Sequence, residues 1–152
     1  MPAKPAPNPG RVLARLARQV ELAAGKAELT LSQYRVLGIL GDGQEASSVL
    51  ADKLAVSRPS ITGVVDGLVA RGLVQRTSAP EDRRRVGVDL TAEGRCVLAA
   101  ADEEVERRLR EIAEHLGEGA DDAFAGLAPW RDALDAHRSA RHAERDSVGA
   151  AR

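Results

Sequence analysis

The chain has 152 residues and a formal net charge of −1, a length that suits one domain. Its single cysteine excludes a disulfide-stabilised scaffold, and no apolar stretch reaches the roughly 18 to 20 residues that a membrane span requires. The N-terminus also lacks the hydrophobic core of a secretion signal, so we expect a soluble, cytoplasmic protein without membrane contact. Aromatic residues make up only 2% of the chain, which favours closely packed helices over a sheet sandwich.

Charge is distributed unevenly along the chain. Residues 1–45 and 46–90 each carry a net charge of +2, whereas residues 91–152 carry −5. This asymmetry predicts one part that faces nucleic acid and a C-terminal part that faces water or another protein.

The first third of the chain predicts an arm and two helices. Residues 1–9 contain four prolines and no periodic pattern, so we predict a flexible N-terminal arm. From Arg11, apolar residues at every third or fourth position predict an amphipathic helix that ends near Gly25. Thr30 then opens a capping-box pattern, which predicts a second helix that stops at Gly41.

Two closely spaced helices are predicted next. The first is short, over about residues 47–54, and the second follows Ser57, a good N-cap residue. Pro59 suits the first turn of that helix because no N–H is needed there, and Gly72 ends the apolar pattern. Two helices joined by about three residues predict a helix-turn-helix.

After Gly72 the hydrophobic period changes from helical to alternating. Residues 73–77 and 86–90 predict two strands joined by a polar stretch, and helical periodicity then returns from Thr91 to about residue 116. One last helix should carry Phe124, Leu127 and Leu134. We therefore predict a mainly α fold with a small β-hairpin wing, in a single chain over residues 10–152 with element order ααααββαα.

A helix-turn-helix followed by a basic hairpin is a winged helix-turn-helix, a fold that binds DNA. The second helix of the pair fits the major groove, which is about 12 Å wide, and its first residues meet the base edges. The residues expected to contact DNA from this helix are Ser57, Arg58, Pro59, Ser60, Thr62 and Gly63. The wing residues Arg83, Arg84 and Arg85 are expected to reach a minor groove or phosphates. Taken separately, a short helix pair can be explained by packing alone, and a run of arginines by a solvated turn. Their occurrence in this order favours DNA binding.

Several segments together carry a family resemblance. They are residues 29–34, 50–51, 56–62, 65–68, 71–74, 82–84 and 90–94. In these segments the chain resembles the MarR family of bacterial transcriptional regulators, and the resemblance extends over about residues 11–140. Its most specific part is the Asp-Arg-Arg wing motif at a fixed distance from the Leu-Thr-x-x-Gly sequence.

The resemblance implies an assembly and a mechanism. Helices within residues 10–26 and 91–141 would form the body of a homodimer, and the winged part, residues 30–90, would bind one half of a palindromic operator. In the family the wing Asp and second Arg, here Asp82 and Arg84, commonly pair so that the arginine faces DNA. The resemblance also implies a small-molecule effector pocket, with Tyr34 and Arg35 near its wall. We expect a repressor that the effector releases and that uses no cofactor, although the sequence does not distinguish a repressor from an activator.

The chain departs from the family pattern at two positions. Ala46 stands where the family often has Thr or Ser, so we expect the short helix to have a weak N-cap or one shifted to Ser47. Pro129 falls inside the predicted last helix, where a missing N–H should bend the helix.

Few residues suggest other chemistry. Cys96 lies in the first turns of the long helix, where the helix dipole favours a thiolate, so an oxidation-sensing regulator is an alternative. A buried structural cysteine is the interpretation we favour. His137 and His142 are five residues apart and so point in different directions, His115 stands alone, and we expect no metal site.

Two other functional classes are opposed by the sequence. We expect no enzyme, because no nucleophile is paired with a base and the acidic residues, such as those at 102–104, occupy solvated helix positions. A helical dimeric scaffold that does not bind DNA would leave the basic wing unused. Retention on heparin or a mobility shift separates a regulator from such a scaffold.

Overall fold

The computed structural model describes the backbone of residues 8–79 and 82–150 and the side chains of residues 8–77 and 87–144. The chain forms two compact units, Met1–Leu109 and Arg110–Arg152. Among the described residues, we find no helix with the length and apolar character needed to cross a membrane.

The described residues of the two units form helices and one small sheet. The helices are α1 (Pro9–Ala24), α2 (Leu31–Gly41), α3 (Ser47–Leu54), α4 (Arg58–Ala70), α5 (Ala92–Ala113), α6 (Ala120–Ala125) and α7 (Ala128–Ala150). The strands are β1 (Glu45–Ala46), β2 (Val74–Ala79) and β3 (Asp82–Leu90), which form an antiparallel sheet in the order β1-β3-β2. Two 3-10 segments, Gly25–Ala27 and Glu114–Gly119, follow α1 and α5. The predicted fold, mainly α with a small hairpin wing, is confirmed.

Side-chain caps fix the starts of the first two helices. The Asn8 side chain accepts a hydrogen bond from the Arg11 amide at 3.2 Å, so α1 begins at Pro9, within the predicted arm. Residues 1–7 of that arm lie outside the described residues. The capping box before α2 is confirmed: Thr30 Oγ1 accepts from the Gln33 amide at 3.2 Å, and Gln33 Oε1 accepts from the Thr30 amide at 3.0 Å.

The hydrophobic core of the first unit lies between α2, α3, α4 and the sheet, and the end of α1 and the first half of α5 also contribute buried residues. Its large, fully buried side chains include Leu37, Leu40, Leu50, Ile61, Leu68 and Val88. On α4 the buried positions Ile61, Val65 and Leu68 recur at three or four residues and form a single stripe. Packing of this stripe leaves the opposite face of α4 exposed.

A close contact joins the end of α4 to the start of α5. Thr91 Oγ1 donates to the Gly72 carbonyl at 2.7 Å and accepts from the Gly94 amide at 3.0 Å, while the Thr91 amide donates to the Leu73 carbonyl at 3.1 Å. Gly94 lies so near the chain that a Cβ atom there would be 1.9 Å from the Leu73 carbonyl oxygen. The Leu-Thr-x-x-Gly sequence therefore has a packing role at this junction.

Polar side chains join α5 to α1 within the first unit. Arg108 donates from Nε and Nη2 to Gln19 Oε1, at 3.0 and 2.7 Å. Glu104 pairs with Arg107 at 2.6 Å and with Lys26 at 3.1 Å, and the hydrogen bonds from these two cations lower the pKa of its carboxyl. These contacts fix the N-terminal helix against α5.

The second unit contains the end of α5, the second 3-10 segment, α6 and α7. Here the guanidinium of Arg110 lies 5.5 Å from the centroid of the Phe124 ring. The predicted single last helix is wrong, because Gly126 and Leu127 separate α6 from α7. Pro129 is the second residue of α7, where no backbone donor is needed, so the expected bend at Pro129 is also wrong.

The weak N-cap expected for α3 is confirmed, and it leads to a prediction. Ala46 is the N-cap residue and offers no side-chain hydrogen bond. Ala46→Ser should raise the free energy of unfolding by about 1 kcal/mol, because a hydroxyl would satisfy a free amide of the first turn. Urea denaturation monitored by circular dichroism measures the change.

Ser47→Ala is the control for this prediction. Ser47 is the first residue of α3, and its side chain makes no hydrogen bond to the described residues, so its removal should be nearly neutral. A loss of stability in Ser47→Ala with no gain in Ala46→Ser would mean that Ser47 is the true cap.

Candidate nucleic-acid interface

The six residues predicted to contact DNA lie together at the start of α4. Ser57 is the N-cap, and its Oγ accepts from the Ser60 amide at 3.3 Å and lies 2.9 Å from Ser60 Oγ. All six residues are exposed: Ser57, Arg58, Pro59, Ser60, Thr62 and Gly63. The buried stripe of α4 turns these residues away from the core.

Their chemistry suits contact with base edges. The Arg58 guanidinium has no hydrogen bond or ion pair with the described residues, so all its donors are available, and arginine binds guanine through two such donors. Thr62 Oγ1 donates to the Arg58 carbonyl at 2.9 Å, which uses its donor and leaves its methyl group as a contact for a thymine methyl. Gly63 has no side chain to hinder close approach of the backbone.

The wing strands extend further than predicted. β2 and β3 continue past the expected limits, residues 77 and 86, to the register pair Ala79 and Asp82. Asp82, Arg83, Arg84 and Arg85 were predicted in the connecting stretch, but their backbone belongs to β3. Their side chains lie outside the described residues, so the Asp82–Arg84 pair stays a prediction.

Two charged residues beside this surface were missed at the sequence level. Asp66 on α4 accepts a hydrogen bond from Arg76 on β2, with 2.5 Å between Oδ1 and Nη2. Both side chains are about half exposed, 55% for Asp66 and 46% for Arg76. This ion pair links α4 to β2, the first wing strand.

Arg71, another residue not predicted, points away from the exposed face of α4. Its Nη1 donates to the Glu28 carbonyl at 2.8 Å and to Gln33 Oε1 at 3.5 Å. Glu28 has a left-handed backbone, with φ of 57°, in the turn between α1 and α2. Arg71 therefore attaches the end of α4 to that turn.

The two residues predicted near an effector pocket have different neighbours. The half-buried Tyr34 donates its hydroxyl to Asp102 Oδ1 on α5 at 2.7 Å, whereas exposed Arg35 donates to the Leu54 carbonyl at 3.3 Å. Burial, followed by the hydrogen bond and the charge of Asp102, raises the pKa of Tyr34 well above its ordinary value. The phenol therefore stays protonated and keeps α2 bonded to α5.

The favoured interpretation of Cys96 as a buried residue is wrong. The buried positions on this part of α5 are Leu98, Ala101 and Val105, and Cys96 lies on the opposite, exposed side. Because inert and reactive thiols can both be exposed, the oxidation-sensing alternative stays a prediction. In the parts of the chain that the structure describes, we find no group of three or more His, Cys, Asp or Glu residues arranged to bind a metal ion.

Comparison with known proteins links this surface to a family of regulators. The sequence model of the MarR family matches residues 27–85, which contain α2, α3, α4, β2 and the start of β3. The HTH-type transcriptional regulator FarR of Neisseria gonorrhoeae is 35% identical over 135 residues, covering 84% of this chain and 92% of FarR.

Two solved structures show the same fold with bound partners. The transcriptional repressor CouR, bound to a 23-mer DNA duplex, is 30% identical with a TM-score of 0.69 and covers 81% of this chain and 88% of its own. NadR in complex with 4-hydroxyphenylacetate is also 30% identical, with a TM-score of 0.68, and covers 91% of this chain and 98% of its own. DNA and a small aromatic acid are thus ligands of proteins that resemble this one.

Proposed function

This chain belongs to the MarR family of winged helix-turn-helix transcriptional regulators, and we propose that it is a repressor that binds a palindromic operator as a homodimer and is released by a small molecule. The observation that carries the proposal is the exposed N-terminal face of α4, where Arg58 has no competing partner among the described residues. Because its proposed ligand is DNA, we also propose that the protein is located in the cytoplasm.

DNA recognition would be divided between α4 and the wing. Arg58 and Ser60 would contact base edges in the major groove, while Ser57 and the backbone around Gly63 would approach the phosphates. The wing residues Arg83, Arg84 and Arg85 would reach phosphates or the minor groove beside the site, with Asp82 orienting Arg84. The basic charge of the central part of the chain supports this division.

The operator itself can be found by selection from genomic fragments. We expect the protein to enrich intergenic fragments that share an inverted repeat, with half-site centres one helical turn apart, about 34 Å. A mobility shift on the enriched fragment then confirms binding. If no fragment is enriched and heparin does not retain the protein, the scaffold alternative replaces the regulator.

A homodimer is supported by apolar side chains that each unit exposes. On α1, Leu13 is 54% exposed, and on α7, Trp130 and Leu134 are 63% and 66% exposed. Large apolar side chains in water are unfavourable, and a second copy of the chain would cover them across a twofold axis.

Light scattering at low micromolar concentration tests the dimer. We expect a folded particle with twice the 16.1 kDa mass of one chain. A single chain would leave these apolar side chains in water and would therefore be unstable without its partner. A folded particle of 16.1 kDa would contradict the dimer, and with it the expected spacing of two recognition helices.

The effector is proposed to bind near Tyr34 and Arg35. Binding there would favour one arrangement of α2 and α5 and thereby change the position of α4. Since 4-hydroxyphenylacetate is the ligand in the NadR complex, it is the first compound to test for release of the enriched fragment. Release by a compound that does not bind the free protein would contradict this mechanism.

A further inference from the structure

Asp66 is an unusual residue for a surface that approaches DNA. It is the one acidic residue in the sequence between positions 57 and 79, and it lies on the exposed face of α4. It follows Arg58 by eight residues, which corresponds to about 12 Å along the helix. A carboxylate in this position would repel phosphates unless it is neutralised.

The structure shows how Asp66 is neutralised. Arg76 lies opposite Val88 in the β2–β3 register and shares a sheet face with Val74, and both valines are buried. Arg76 therefore projects from the core-facing side of the sheet, at the edge of the core and beside the second half of α4. Its guanidinium reaches Asp66 there, at 2.5 Å.

The remaining arginines of this segment have different roles. Arg71 is bonded to the Glu28 carbonyl in the turn between α1 and α2, and Arg58 has no partner among the described residues. Among these arginines, Arg76 is thus the one that lies between α4 and the wing strand β2, where it forms an ion pair with Asp66. Because both side chains are about half exposed, their pairing contributes little to folding stability.

We propose that Asp66 determines specificity by occupying Arg76 and so preventing Arg76 from binding phosphates of any DNA sequence. Phosphate contacts carry no sequence information, so each one strengthens binding to operator and to random DNA alike. Pairing an arginine with a carboxylate removes one phosphate contact. The pairing therefore lowers the affinity for random DNA while it leaves base contacts intact. This inference deepens the proposed function and rests on it.

Asp66→Asn tests the inference with a mixed-sequence DNA duplex of about three helical turns, measured by fluorescence anisotropy at several salt concentrations. The freed Arg76 should bind one more phosphate, which steepens the logarithmic salt dependence by about 0.9 for each protomer on the DNA. For one protomer, the gain in affinity should therefore be about 3.5-fold larger at about 50 mM than at about 200 mM salt. Asp135→Asn is the control, because exposed Asp135 forms an ion pair with the partly buried Arg138 on α7, outside the winged part; its loss removes the same charge and should leave the slope unchanged.

Arg76→Gln combined with Asp66→Asn provides a second test. Arg76→Gln alone would leave the Asp66 carboxylate unneutralised beside phosphates, so both charges of the pair are removed together. This double variant should have the wild-type salt slope for mixed-sequence DNA, because it lacks the arginine that Asp66→Asn alone sets free. Asp66→Glu, which keeps the carboxylate, should keep the wild-type slope as well.

The outcomes separate this inference from the function it rests on. A slope in the double variant flatter than that of the wild type would show that Arg76 binds phosphate in the wild type, and an unchanged slope in folded Asp66→Asn would show that Asp66 restrains nothing; either result overturns the inference alone. A slope in the double variant steeper than that of the wild type would mean that loss of the carboxylate acts without Arg76, which also overturns it. If wild-type protein binds no DNA, the proposed function fails as well.

Discussion

Gly94→Ala should lower the free energy of unfolding by roughly 3 kcal/mol, an effect at the upper end of those seen when atoms are forced into packed interiors. The added Cβ would lie 1.9 Å from the Leu73 carbonyl oxygen and 3.3 Å from Leu90 Cδ2. Leu73 cannot easily retreat, because its carbonyl accepts the Thr91 amide at 3.1 Å. A loss of about 3 kcal/mol lowers Tm by roughly 6 to 12 °C in a protein of this size, which calorimetry measures directly.

Gly38→Ala is the matched control. Gly38 lies within α2, is exposed, and has open space around the position of a Cβ atom. Alanine is the better helix former, so this variant should gain about 0.5 to 1 kcal/mol. Equal Tm values for the two alanine variants would show that the junction between Leu73 and α5 is looser than the structure has it.

Arg58→Ala should weaken binding to the selected operator by about 1 to 3 kcal/mol, which corresponds to roughly 5-fold to 150-fold. The reason is that Arg58 is exposed at the first position of α4 and its donors have no partner among the described residues. Titration of operator and mixed-sequence duplexes at one salt concentration measures both affinities. Binding to mixed-sequence DNA should fall less. On the operator the variant loses a base contact as well as any phosphate contact, whereas on mixed-sequence DNA it loses only the phosphate contact.

Arg131→Ala serves as the control for this experiment. It removes the same charge from an exposed arginine on α7, outside the winged part of the chain, and should leave both affinities close to wild type. Equal losses on operator and mixed-sequence DNA in Arg58→Ala would assign Arg58 to phosphate contact alone.

The sequence was sufficient for the starts of α2 and α4, which depend on local chemistry. Thr30 and Ser57 were predicted as caps because a side-chain oxygen before an apolar run satisfies free amides a few residues later, and both form these hydrogen bonds. The helix α4, with its exposed N-terminal residues, was predicted from the same kind of pattern.

Features that depend on contacts distant in sequence were missed. The two-residue strand β1 is too short for any periodicity, and it exists because Glu45 and Ala46 pair with Val88 and Gly87. The charged run that begins at Asp82 does not alternate, so its inclusion in β3 had no sequence signal. The Asp66–Arg76 ion pair could have been suspected only from the lone acidic residue in a recognition helix.

The hydrogen bonds from Arg108 to Gln19 join residues 89 positions apart, which constrains the order in which the first unit folds. Closing so long a loop costs more chain entropy than forming the hairpin of β2 and β3, whose partners are close in sequence. The hairpin and the α3–α4 pair can therefore form early, whereas α1 docks on α5 only after the segment between them has become compact. During synthesis, α1 leaves the ribosome before α5, so the Gln19 side chain is without Arg108 as its partner until α5 has been made.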